Sequence, residues 1–297
     1  MPKTFPFAPK NCTLCPRQCH ADRASGRVGF CGAGGILTAA RAALHFWEEP
    51  CISGTRGSGT VFFSGCTLRC CYCQNGSISA GGFGKAITTE RLREIFEELI
   101  SRGAHNINLV TPTHFLPWIL PALEPKLSVP VVYNCGGYES VETLRQLEGK
   151  VDIWLPDLKY ADGELAGRLS AAPDYFPVAA AAIREMFRQT GPCVLEDGLL
   201  KRGVVIRHLV LPGQMDNTRR CIDWVAENFR PGEVMFSLMS QYTPQENAEG
   251  TLRRHVTRSE YRAAVAYMEN CGITDGFTQE RTAARAEYTP DFDLTGV

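Results

Sequence analysis

Apolar residues along this chain alternate between two rhythms. Short, nearly unbroken runs recur: "GTVFFSG" (59–65), "NINLVT" (106–111), "VPVVYN" (129–134), "VDIWLPD" (151–157), "GVVIRHLVLPG" (203–213) and "EVMFSLMSQ" (233–241). Runs of this kind fit strands buried on both faces. Helical periodicity falls between them. "TTERLREIFEELISRG" (88–103) puts Leu92, Ile95, Phe96, Leu99 and Ile100 on one face, with Thr88 as N-cap and Gly103 as stop. Helices are also expected in 140–149, in 174–191 after Pro177, in 216–229 and in 259–272, and "FLPWILPALEP" is a proline-marked segment. Six strand–helix pairs predict an α/β fold with a parallel sheet, as an open doubly wound sheet or an incomplete β/α barrel. In either case the loops beyond the strand C-termini would form the site. Residues 1–57 do not follow the alternation and read as an appendage, 58–272 as the main domain, and 273–297 as a polar tail or lid.

Composition narrows the function. The 297 residues carry a net charge of −1 with no block of like charges, which argues against nucleic acid or an anionic membrane as partner. No stretch of about 18 apolar residues exists to span a membrane. The start, "MPKTFPFAPKNC", lacks the apolar core of a secretory signal, so a cytoplasmic location is expected. Thirteen cysteines is a high and odd count, which points to metal or reactive thiols rather than a disulfide framework.

Four of those cysteines fall in "GCTLRCCYCQN" (65–75). Cys66, Cys70 and Cys73 are spaced C-x3-C-x2-C at the end of the first predicted strand, where a loop can wrap three thiolates around one corner of a cubane cluster. Three ligands leave one iron open, as a catalyst needs. Cys71 adjoins Cys70 and is expected to point elsewhere. A zinc site with a distant fourth ligand, or plain buried thiols, is the competing reading.

With Tyr72 before the last cysteine, this loop resembles the radical S-adenosylmethionine (SAM) superfamily, and most closely the pyruvate formate-lyase activating enzyme group. The resemblance spans roughly residues 58–245. It implies an incomplete (β/α)6 barrel and a [4Fe-4S] cluster on Cys66, Cys70 and Cys73. It also implies reductive cleavage of SAM to a 5′-deoxyadenosyl radical that abstracts a hydrogen atom. Further motifs carry expected SAM contacts: Asn134 and Gly136 in "VYNCGGY", Asp157 and Lys159 in "LPDLKY", Arg207 in "IRHLVLPG", and Tyr242 after "LMSQ". Asp157 would help hold the methionyl end of SAM through a monovalent cation, with Lys159 near its carboxylate. The family's Gly-Gly-Glu is absent, so Thr111, Thr113 or His114 in "LVTPTH" would supply the contacts to the SAM amino group. The resemblance also implies a flavodoxin or ferredoxin reductant and, as substrate, a glycine of a partner glycyl-radical enzyme. A small molecule or peptide is the alternative target, and a non-catalytic electron carrier or metal-dependent scaffold is the alternative of another class.

Each motif residue has a plainer reading beside this one. Asp157 and Lys159 could be a simple ion pair, His114 a surface histidine, and Gly136–Gly137 a turn. Of Arg207 and His208, one must face inward or pair with something, because an uncompensated buried charge is costly, and Arg207 is the one expected inward.

A second set, Cys12, Cys15, Cys19 and Cys31, reads C-x2-C-x3-C-x11-C, a complete four-thiolate site for structural zinc or an iron–sulfur cluster. This "CTLCPRQC…GRVGFCG" pattern resembles a branch of the activase-like radical SAM proteins. Cys193, Cys221 and Cys271 read as small buried hydrophobes. Cys51 and Cys135 are candidate neighbours of the site.

Overall fold

The computed structural model describes residues 7–246, 248–279 and 290–297. Six strands stand where the apolar runs predict them: β2 (Ser58–Phe63), β4 (Ile107–Val110), β5 (Val131–Cys135), β6 (Ile153–Pro156), β8 (Leu199–Leu209) and β9 (Met235–Met239). Four more among the described residues, β1 (Thr38–His45), β3 (Lys85–Ala86), β7 (Val194–Glu196) and β10 (Gly276–Thr278), lie where no strand is expected. β1 and β10 flank the six, and β3 pairs with β1. The sheet runs β10-β9-β8-β6-β5-β4-β2-β1-β3. Every pair from β2 to β10 is parallel, and β1 is antiparallel to β2. β7 forms a hairpin with β8, turned by Asp197 and Gly198 at φ 51° and 76°, the signs a two-residue turn of this hand requires.

The helices cover the outer face. α3 (Thr89–Ser101) begins as expected, with Thr88 accepting from the Arg91 N–H, and buries Leu92, Ile95, Phe96 and Leu99. The proline-marked segment is itself helical, as α4 (Leu116–Ala122). The helix expected after Pro177 starts earlier, as α7 (Tyr175–Thr190). Pro177 is tolerated in its first turn because no N–H is needed there. α8 (Met215–Asn228) and α9 (Arg258–Asn270) complete this layer, the latter with a Thr257–Glu260 capping box.

Strand parity sorts the side chains. Outward residues such as Tyr133, Trp154, Ile206 and Phe236 join the main core under the helices. Inward residues Val132, Ile153, Leu155 and Val205 pack on Cys51 and Ile52, from the short helix α1 (Pro50–Ser53). That apolar plug closes the lumen at one end. Above it the inward positions turn polar: Asn108, Asn134, Asp157, Arg207 and Ser237.

Both flanking segments join this body. β1 lies within the residues read as an appendage, and its outer edge is paired through Ala42 N to Thr295 O and Leu294 N to Ala40 O. Residues 280–289 of the expected tail lie outside the described residues.

Candidate active site

The loop after β2 carries Cys66, Cys70 and Cys73. Each sulfur receives a donor, among them the Leu68 N–H at 3.4 Å on Cys66, the Ser170 hydroxyl at 3.0 Å on Cys70 and the Ser79 hydroxyl at 3.4 Å on Cys73. Such donors stabilise thiolate, the form that binds iron. Burial pushes the Cys66 thiol up to about 12, and Cys70 and Cys73 add to the rise. The three sulfurs therefore sit in one electrostatic neighbourhood that favours an added positive charge. Cys71 is exposed, and its N–H is tied to Leu169 O at 2.9 Å. It lines a separate cavity of about 490 Å³ with Arg168, Tyr242 and Glu249.

Beneath the loop a cavity of about 220 Å³ is lined by Cys70, Cys73, Asn134, Asp157, Lys159 and Arg207, among others. Arg207 turns inward. Its Nε donates to Asp157 Oδ1 at 2.9 Å, one terminal nitrogen to Asn134 Oδ1 at 2.6 Å and the other to Glu48 Oε2 at 3.2 Å. Lys159 Nζ donates to the second Asp157 oxygen at 2.5 Å. Burial alone would lift the Asp157 carboxyl, but Arg207 and Lys159 outweigh it and hold it below its ordinary value. His208, one position on, faces the opposite side, against Leu158 O and the Thr218 hydroxyl.

Glu48 and Glu49 belong to the segment before α1, and nothing local in the sequence marks them as site residues. In the fold Glu48 Oε1 accepts from Asn108 Nδ2 and Asn134 Nδ2, both at 3.1 Å. Glu49 is hydrogen-bonded by Ser237. Burial lifts both carboxyls and Arg207 pulls both back.

Several residues expected at the site lie apart from this cavity. Thr111, Thr113 and His114 do not line the cavity. Thr111 takes a left-handed conformation, φ 57°, and the chain turns away after it. The Thr113 hydroxyl then donates to Glu139 at 2.8 Å and accepts from Tyr133, while His114 Nε2 meets Ser64 O. Gly136 is no direct cavity residue either, although it permits close packing: a Cβ there would stand 2.7 Å from Leu68 Cδ1, in the cysteine loop. Tyr242 is buried with its hydroxyl on Leu252 O and its ring beside Tyr72, away from the polar network. Tyr72 separates the two cavities, lining both. Cys51 lies in the apolar plug, and Cys135 faces outward toward Glu139, so neither borders the site.

The N-terminal set packs on the cysteine loop. Cys12, Cys15 and Cys31 are buried and Cys19 is exposed. A Cβ on Gly29 would stand 2.8 Å from Cys19 Sγ and 3.7 Å from Cys31 Sγ, so glycine lets these sulfurs share one space. Among the described residues no three Cys, His, Asp or Glu side chains are gathered closely enough to hold a single ion. Arg17 bridges the two regions by donating to Thr67 O at 2.9 Å and Ser170 O at 2.8 Å.

The model of the radical SAM superfamily matches residues 60–225, more than half of the chain. The chain belongs to the radical SAM superfamily. This radical SAM chain is 30% identical over 276 residues to the uncharacterized protein MJ0674 of Methanocaldococcus jannaschii, covering 89% of this chain and 76% of that one. Its fold is similar to SuiB of Streptococcus suis (TM-score 0.52, 13% identity, 75% of this chain and 48% of that one). It is also similar to HydG, a maturase of the [FeFe]-hydrogenase (TM-score 0.50, 15% identity, 75% and 52%). The chain spans about half the length of those two structures. The family implies a [4Fe-4S] cluster and SAM, and the α/β body with its mostly parallel sheet agrees with the barrel-like fold of such enzymes. No helix among the described residues is long and apolar enough to cross a membrane.

Proposed function

We propose that the protein is a radical SAM enzyme working in an incomplete barrel, with Cys66, Cys70 and Cys73 as the cluster ligands. The observation that carries this reading is the donor on each of the three sulfurs, directly above the Asp157–Lys159–Arg207 network. Together the cluster and SAM would supply one-electron cleavage of the sulfonium and abstraction of a hydrogen atom. The chain's own part is positioning. Lys159 and Arg207 offer cationic donors to the SAM carboxylate, Asp157 fixes both of them, and the apolar plug below keeps bulk water out. A monovalent cation at Asp157 belongs to the same reading.

Following the resemblance to activating enzymes, the substrate is a backbone glycine of a partner glycyl-radical enzyme and the reductant a flavodoxin or ferredoxin. Cys12, Cys15, Cys19 and Cys31 form a second metal module, for zinc or an iron–sulfur cluster, gathered on metal loading. The test is anaerobic reconstitution, dithionite and SAM, with 5′-deoxyadenosine as product and a change in the cluster's EPR signal on adding SAM. Absence of both rejects the reading. Metal analysis of a variant with Cys66, Cys70 and Cys73 all replaced by Ala identifies what the N-terminal module holds.

A further inference from the structure

The base of the lumen contains more acceptors than donors. Glu48 uses three of the roughly four acceptor positions of a carboxylate, on Asn108, Asn134 and Arg207. Asn108 has spent its amide on Glu48, and its Oδ1, on a fully buried side chain, has no partner among the described residues. Glu49 Oε2, on a residue only 8% exposed, is likewise without one. Buried acceptors left unmatched are costly, so two of them behind the Glu48 carboxylate make this end of the lumen short of donors.

The charges favour a cationic donor. Arg207 serves Asp157, Asn134, Glu48 and Glu49 together and Lys159 is held by Asp157, so three carboxylates share two cations here. The cavity wall next to Glu48 carries the rings of His45, Trp47 and Phe62, with His45 edge-on to Phe62 at 5.9 Å. Aromatic faces accept cations and exclude water. His45 adds no competing charge near neutrality, because burial, helped by Arg41, brings it down to about 4.

We propose that Glu48, which lines the cavity, binds an ammonium group of a ligand at the base of the lumen, with Asn108 holding the carboxylate in place from behind. Two ligands could present it: SAM, through its α-amino group, or a substrate amine. The first source rests on the radical SAM reading above and would supply the contact that the missing Gly-Gly-Glu and the displaced Thr113 and His114 do not. The second names a substrate class, an amine with an apolar body.

Calorimetric titration of cluster-reconstituted protein tests this with three probes: SAM, its analogue lacking the α-amino group, and n-butylamine. Glu48→Gln is expected to weaken whichever probe brings the ammonium by roughly tenfold to a hundredfold, the worth of a hydrogen bond to a charged partner. A loss for SAM, with the deaminated analogue bound equally by native and variant proteins, assigns the group to SAM. A loss for n-butylamine with SAM unchanged assigns it to a substrate amine. Asn108→Ala keeps the carboxylate and must weaken the same probe, which covers the case in which Glu48→Gln loses its cluster or fold. Unchanged binding of both SAM and n-butylamine in a folded, cluster-loaded variant overturns the proposal. The n-butylamine arm needs no SAM cleavage, so its result is independent of whether native protein produces 5′-deoxyadenosine.

Discussion

The backbone N–H of Cys66 donates to the carbonyl of Cys31 at 3.1 Å, joining the first cysteine of the loop after β2 to the last of the N-terminal set. Gly65 makes this approach feasible. It sits at φ 87°, and a Cβ on it would stand 2.5 Å from that carbonyl. Gly65→Ala is therefore expected to push the two loops apart at a cost of about 1–3 kcal/mol, the usual range for a residue forced into a strained backbone region. Thermal melting and iron per chain after reconstitution should both fall. Unchanged iron content would mean that the contact does not hold the loop.

Cys70 and Cys71 are neighbours with opposite surroundings. The Cys70 sulfur accepts from Ser170 beneath the barrel mouth, whereas Cys71 opens on the other cavity. Cys70→Ala should abolish cluster binding and SAM cleavage. Cys71→Ala should change cleavage by no more than about twofold, as for an exposed substitution. Equal losses in both variants would contradict the three-ligand assignment.

Acid should weaken the fold through its buried histidines. His114 and His208 are brought down from 6.5 to about 4, chiefly by burial. Unfolded histidine takes up a proton near 6.5 and the folded side chains only near 4, so stability is full above that window and drains as pH falls through it. The slope is at most about 1.4 kcal/mol per pH unit for each histidine. Thermal midpoints measured from pH 7 to 4 should drop, and His208→Gln should lessen the slope.

Glu139 works in the other direction. Burial lifts its carboxyl from 4.5 to about 8, against donors from Thr113 and Cys135. Its contribution is present below 4.5 and is lost as pH rises toward 8. Glu139→Gln cannot titrate. Whatever constant offset the new amide brings, the stability difference between variant and native protein should shift in favour of the variant between pH 5 and 8. A pH-independent difference would place the charged carboxylate in the native fold at neutral pH.

Much of the barrel was legible because its strands are sealed on both faces. Runs such as "VPVVYN" need no decision about which face is wet, and parity then separates Tyr133 from Asn134 and Ile206 from Arg207. The family was legible from the Cys66–Cys73 loop because its spacing is local to the sequence. β1 was not, since "TAARAALH" is rich in alanine and has no strand rhythm; pairing with β2, a tertiary effect, makes it a strand. Glu48 escaped notice because its partners lie 60, 86 and 159 positions away, and nothing local distinguishes it from a surface acid. Thr113 and His114 stand at the expected strand end, but one left-handed residue, Thr111, decides where a loop aims its side chains.

The span of the Glu48–Arg207 ion pair bears on how this protein can be recombined with its relatives. A graft that takes only the family segment, residues 60–225, would import Arg207, Asp157 and Asn134 but leave Glu48 behind. The transplanted guanidinium would then meet whatever the host's own N-terminal chain happens to offer. In swaps between homologues the recognition unit is therefore the two segments together, and crossover points chosen at the family boundary would cut through it.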